Sequence, residues 1–121
     1  MKFITLAVAA LLLFSTWVHA GETLNADAVK KLITGNTIDG LAPNGNTQQN
    51  YFAPDGKTIR KFGDKLIEGT WSVKDDGTQC VTGMPGGCAT IVSNGDGTYD
   101  RISADGKVLL RWVSVANGKG F

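Results

Sequence analysis

Histidine is almost missing from this sequence of 121 residues: the single one, His19, lies in an apolar leader. Beyond that leader the absence excludes a Ser-His-Asp or Cys-His arrangement, a histidine general base and any histidine metal ligand. Cysteine is nearly as sparse, with only Cys80 and Cys88. Neither CxxC nor CxxCH spacing occurs, so a thioredoxin-type redox pair and c-type haem attachment are not expected. Two thiolates alone cannot close a zinc site, and no metal is expected. GxxxxGK[ST] is absent, as is GxGxxG ahead of a helix, so no phosphate-cradling loop and no cofactor are expected. No basic cluster of the nucleic-acid-binding kind is present, and no polybasic stretch to hold anionic lipid. Proline is low, at 3 residues, while aliphatic and aromatic residues make up 42%, which argues for a folded core and against Pro-rich disorder.

The leader has three parts. Met1 and Lys2 give a short basic start, residues 3–14 are apolar apart from Thr5, and Val18 and Ala20 supply the small residues of a cleavage site ahead of Gly21. This is the plan of a secretory signal peptide over residues 1–20. Its apolar run is shorter than the ~20 residues of a membrane span, and no later run replaces it, so no stable membrane anchor is expected after cleavage. Residues 21–121 then form a single β-rich domain in the periplasm or outside the cell. Lys2 leaves with the leader, so the 12 Lys+Arg fall to 11, equal to the 11 Asp+Glu.

In an oxidising compartment Cys80 and Cys88 are expected to pair. The closed loop is short and contributes about 2–3 kcal/mol in the chain-entropy model. Its tip, with Met84 and Pro85, is a candidate docking loop, because a constrained loop loses little entropy on binding.

One helix is expected near the start of the domain. In residues 25–34, Ala28, Val29, Leu32 and Ile33 share a helical face, Asn25 is placed to cap, and Gly35 to stop. From Asn36 onward Asp-Gly and Asn-Gly dipeptides recur at short spacing, as hairpin turns require. Between them lie runs rich in Thr, Val, Ile and aromatics. Strands are expected near 37–42, 46–53, 57–62, 65–74, 78–82, 88–93, 98–103 and 107–115. The best alternation, in 66–74, places Ile67, Trp71 and Val73 inward and Glu68, Thr70 and Lys74 outward. The last strand is apolar on both faces, which reads as central or covered. The fold class is therefore mostly β, a small antiparallel meander with one short N-terminal helix, closing into a lipocalin-like barrel or a half-open sandwich. A weak echo at an offset of fifty (Asn44-Gly45 to Lys57 against Asn94-Gly95 to Lys107) reads as two similar hairpins, with half-domain duplication as the alternative.

Trp71, Trp112, Tyr51 and Tyr99 are candidate pocket residues, although such aromatics more often fill a core. Arg60, Arg101 and Arg111 lie on expected strands. An arginine pointing into a barrel needs a partner and would suit an anionic ligand; Arg111 is taken into the candidate pocket. The stretch 94–100 has oxygen ligands at alternate positions but lacks the full calcium-loop pattern. Asp75 and Asp76 read as turn carboxylates.

Leu32-Ile33-Thr34-Gly35-Asn36-Thr37, Tyr51-Phe52-Ala53-Pro54-Asp55-Gly56, Glu68-Gly69-Thr70-Trp71-Ser72-Val73 and then Cys80 and Cys88 occur in an order that resembles a family of small secreted bacterial proteins. That family is known only as a domain of unknown function. The resemblance covers roughly residues 24–113 and implies a secreted or periplasmic β domain with a disulfide; it implies no catalytic residue. The leading expectation is a non-enzymatic small-ligand-binding or accessory domain. The alternative is an inhibitor or docking module for another exported protein, using the Cys80–Cys88 loop. An enzyme would need two carboxylates converging in a cleft.

Overall fold

Five turns of the chain are built on one kind of corner. At residues 42–46, 53–57, 74–78, 94–98 and 103–107 the first residue's N–H donates to the carbonyl four positions on, at 2.8–3.0 Å. In four of these turns an Asx oxygen (Asn44, Asp55, Asp76 or Asp96) accepts the N–H two residues later. In the fifth, Asp105 accepts from the Ser103 hydroxyl instead. The glycine that follows takes a left-handed backbone, as at Gly77 (φ 90°), a conformation that side chains strain to adopt. Gly77 has a second constraint, since a Cβ there would lie 2.7 Å from the Leu24 carbonyl.

These turns join the elements of a computed structural model that describes residues 21–83 and 87–121. The signal peptide expected over residues 1–20 and the loop tip with Met84 and Pro85 lie outside the described residues. In chain order the elements are β1 (Glu22–Thr23), α1 (Ala26–Ile33), β2 (Asn36–Leu41), β3 (Thr47–Phe52), β4 (Lys57–Phe62), β5 (Lys65–Val73), β6 (Gln79–Val81), β7 (Cys88–Ser93), β8 (Tyr99–Ile102) and β9 (Val108–Asn117). Strands β2 to β9 pair in sequence, all antiparallel, and β9 returns to β2 through Ile38↔Val115 and Gly40↔Trp112. The result is a closed eight-stranded up-and-down barrel, not a half-open sandwich. Closure leaves the eight strands no free edge. The two-residue β1 has no sequence signal of its own. It pairs with Val92 and Ser93 on β7, beyond the stretch that short β6 covers.

Antiparallel order gives the barrel two ends. Turns 53–57, 74–78 and 94–98 lie at one, and α1 plugs it. Asn25 caps the helix by accepting the Ala28 N–H at 2.9 Å, and Val29 and Ile33 are fully buried. Each such side chain stabilises by about 1.5–3 kcal/mol. Beneath α1, Phe52 packs edge-on to Trp71 (5.8 Å, 86°) and tilted against Trp112 (6.3 Å, 49°). Ile38, Ile91 and Leu110 complete this core. The bare inner face of Gly40 admits Leu110, whose side chain would meet a Cβ there at 2.8 Å.

Strand β9 is central, as its two apolar faces suggested, since it pairs with both β2 and β8, but its outer face is not covered: Val113 is 42% exposed. The sequence echo is two similar hairpins and not a half-domain duplication. An offset of fifty carries β3 onto β8, and these strands run in opposite directions along the barrel. Shared turn chemistry accounts for the likeness.

Candidate functional site

Among the described residues nothing plugs the other end of the barrel. Turn 42–46, the β4–β5 turn, the two ends of the disulfide loop at Gly83 and Gly87 and turn 103–107 surround it. Inside the mouth the inner faces change from apolar to polar. The register puts Asn50 opposite Arg60 and Ile91 opposite Arg101, so both arginines share the inward face with core residues. Arg101 is 1% exposed. From β8 it crosses over β7 to β6, where its Nε donates to Gln79 Oε1 at 2.8 Å. Its Nη2 donates to the Gly87 carbonyl at 2.7 Å. Arg60 donates from Nη2 to the Gly83 carbonyl at 2.8 Å. The two ends of the disulfide loop thus hold one guanidinium each. The Cys80–Cys88 bond is formed, on facing residues of β6 and β7, and fixes the loop that carries both carbonyls.

No carboxylate answers this charge. Among the described residues the ion pair formed is Arg111–Asp100, and it lies on the outer surface. Burial, and next the nearby charge of Arg60, push the Arg101 pKa down to about 10. It therefore stays cationic at neutral pH. Burial also lowers the Arg60 pKa. Among the described residues four buried side-chain atoms lack a hydrogen-bond partner: Asn50 Nδ2, Arg60 Nε, Gln79 Nε2 and Arg101 Nη1. All four are donors. The Gln79 amide cannot be reversed to change this, because its oxygen already accepts from Arg101.

Arg60 and Arg101 line a mouth pocket of about 340 Å³ with Ala42, Phe62, Leu109 and Leu110. That is at the small end of ligand sites, which run from about 300 to 1,000 Å³. The rim is mixed: Phe62, on the inward face with Arg60, is 42% exposed, and Asn46 and Gln48 also line the pocket.

The sequence candidates fall elsewhere. Trp71, Trp112 and Tyr99 face inward but pack the helix end and line no part of this pocket. Tyr51 sits opposite Ile59 and Thr37 on the outer face. Arg111, flanked by inward Leu110 and Trp112, points outward and gives its Nε and Nη2 to Asp100 at 2.7 and 3.0 Å. It does not belong to the pocket. The arginines that enter the barrel are Arg60 and Arg101. Among the described residues no group of three metal-binding side chains gathers, and no helix is long and apolar enough to cross a membrane. No family model matches the chain, and no curated protein is significantly similar to it, so the family resemblance stands on its quoted residues alone.

Proposed function

We propose that the protein is an exported, non-enzymatic small-ligand-binding domain that takes its ligand in the open mouth of the barrel. The observation that carries this reading is the pair Arg60 and Arg101: two inward cations in one small pocket with no acidic partner. A buried unpaired charge costs several kcal/mol, and a buried orphan donor about 1–3 kcal/mol. Side chains that served stability alone would be apolar here, as they are at the helix end. The disulfide and the signal-like leader support export to the periplasm or beyond, as does the likeness to a small secreted family.

The test compares native and denatured mass spectra of protein purified from an oxidising compartment, alongside tryptophan fluorescence during titration with small amphiphiles. An adduct seen only in the native spectrum, or a saturable fluorescence change, is the expected result. Equal masses together with a flat fluorescence titration overturn the reading.

A further inference from the structure

We propose that the mouth is specific for a single-chain amphiphile with a compact carboxylate head, the head bridging Arg60 and Arg101 and the chain running outward over Phe62 and Leu109. This rests on the mouth being a ligand site, and it names the ligand's chemistry.

Donor count decides the head. Of the four buried donors without a partner among the described residues, Arg60 Nε and Arg101 Nη1 belong to side chains that line the pocket. A ligand that completes these two brings acceptors and no N–H of its own. Hydroxyl-rich and amine-bearing ligands add donors to a place already in excess, while a carboxylate is acceptor-only. Charge agrees, since an anion relieves the repulsion between two guanidiniums and supplies the partner a buried cation needs.

The fixed edges of the guanidiniums narrow the head further. Arg101 has Nε on Gln79 and Nη2 on Gly87, and Arg60 has Nη2 on Gly83. Arg101 therefore has no free Nε–Nη2 fork for bidentate capture. The guanidinium atoms buried without a partner are Nη1 of Arg101 and Nε of Arg60. A head with two oxygens on one carbon meets both, one oxygen to each arginine. These contacts are charge-assisted and made by groups already held in place, so little ordering cost is added on binding.

The apolar half of the ligand follows from what surrounds the cations. Leu109, Leu110, Ala42 and Phe62 share the pocket. At the opening Phe62 is 42% exposed. An inorganic anion would use none of this apolar surface. An alkyl chain leaving the head toward solvent crosses Leu109 and Phe62.

The experiment titrates the oxidised exported protein at neutral pH with decanoate, decanol, decyl phosphate, decyltrimethylammonium and inorganic phosphate, by calorimetry. Decanoate is expected to bind about tenfold or more tighter than decanol, the range of a charge-assisted hydrogen bond. Arg101→Met and Arg60→Gln are expected to bring decanoate down to the decanol level and leave decanol unchanged, which also shows that the variants are folded. Equal binding of decanoate and decanol by the unaltered protein overturns the head assignment but leaves the mouth a ligand site. Tighter binding of decyl phosphate or of the cation overturns the carboxylate. Inorganic phosphate as tight as decanoate overturns the chain. Failure of every chain-bearing probe overturns the ligand-site reading itself.

Discussion

The two halves of the barrel interior obey different rules. At the helix end Val29, Ile33, Ile38, Phe52, Ile91 and Trp112 are buried against one another, and the indole N–H of Trp71 donates to the Ala53 carbonyl at 2.9 Å. No buried side-chain nitrogen or oxygen there lacks a partner among the described residues. At the mouth the same inward face of the same strands carries Asn50, Arg60 and Arg101, with Gln79 beside them, and every orphan donor belongs to this set. One half is an apolar core, and the other holds charge at a cost to stability. The contrast places the apolar packing of the domain beneath α1 and its unpaired inward charge at the opposite end. A fold can carry such a mouth only because the other end over-supplies burial.

The contrast breaks first under core truncation. Trp112→Ala removes the ring that Phe52 and Leu110 pack against and leaves a cavity with no route to collapse. A loss of about 3–5 kcal/mol is expected in urea denaturation. A loss under about 1 kcal/mol would show that the helix end is not where stability lies. Opening the disulfide with the paired Cys80→Ser and Cys88→Ser changes comes next, at about 2–3 kcal/mol from loop entropy. This change also frees the loop that carries the Gly83 and Gly87 carbonyls, so the preference for decanoate over decanol should weaken, measured by calorimetry on the folded variant. Unchanged preference would mean that the arginines hold their positions without the loop.

Arg101→Met tests the mouth half from the other side. Removing the side chain strands Gln79 Oε1, at about 1–3 kcal/mol, but also removes a buried charge whose desolvation costs several. The second effect outweighs the first, so stability in urea should stay within about 1 kcal/mol of the parent or rise. A loss above about 3 kcal/mol would make Arg101 a structural strut and erase the difference between the two ends. Removing a buried ring at Trp112 and a buried charge at Arg101 should thus differ by several kcal/mol in their consequences, and that difference is the sharpest form of the comparison.

How far each half was legible follows from the kind of signal it leaves. Turns and strands are local, and Asp-Gly with alternation places eight strands and the helix within a residue or two of where they lie. Barrel closure is not local, because β9 must find β2 across the whole chain. Sheet face was harder still. In β9 the flanking Leu110 and Trp112 already mark Arg111 as outward, a signal the pocket assignment passed over. In β4 the outward Ile59 beside Arg60 inverts the usual apolar-in pattern and hides the inward cation. Arg101 shares parity with Tyr99, which points to the inside once Tyr99 is known to be there. The missing clue for both was negative: no acidic residue lies opposite either arginine on its face. That absence appears only when the register is known.

The smallest expected effect concerns the outside of the barrel and shows that the acid response belongs to neither interior half. The Arg111 guanidinium bonded to Asp100 holds that carboxyl below the usual range, with a further contribution from Asn94. In the turns, Asp76 and Asp96 are lowered by the side-chain hydroxyls of Thr78 and Thr98, and Asp105 by that of Ser103. A carboxyl whose folded pKa lies below its unfolded one stabilises fully above the unfolded value. As pH falls, the unfolded chain takes up protons first, and the stabilisation drains away until the folded pKa is passed. The loss therefore begins in the ordinary carboxylate range and continues below it, and neutral to alkaline conditions leave the stabilisation untouched. For Asp100 the magnitude is small, because Arg111 is 49% exposed and the pair is screened by solvent. Asp100→Asn should cost under about 1 kcal/mol at neutral pH and flatten the acid limb of a stability profile. The mouth adds nothing to that limb, since its guanidiniums stay charged throughout. An acid limb that Asp100→Asn leaves intact but Arg101→Met removes would place the titration inside the barrel, and with it a carboxylate carried there by a bound ligand.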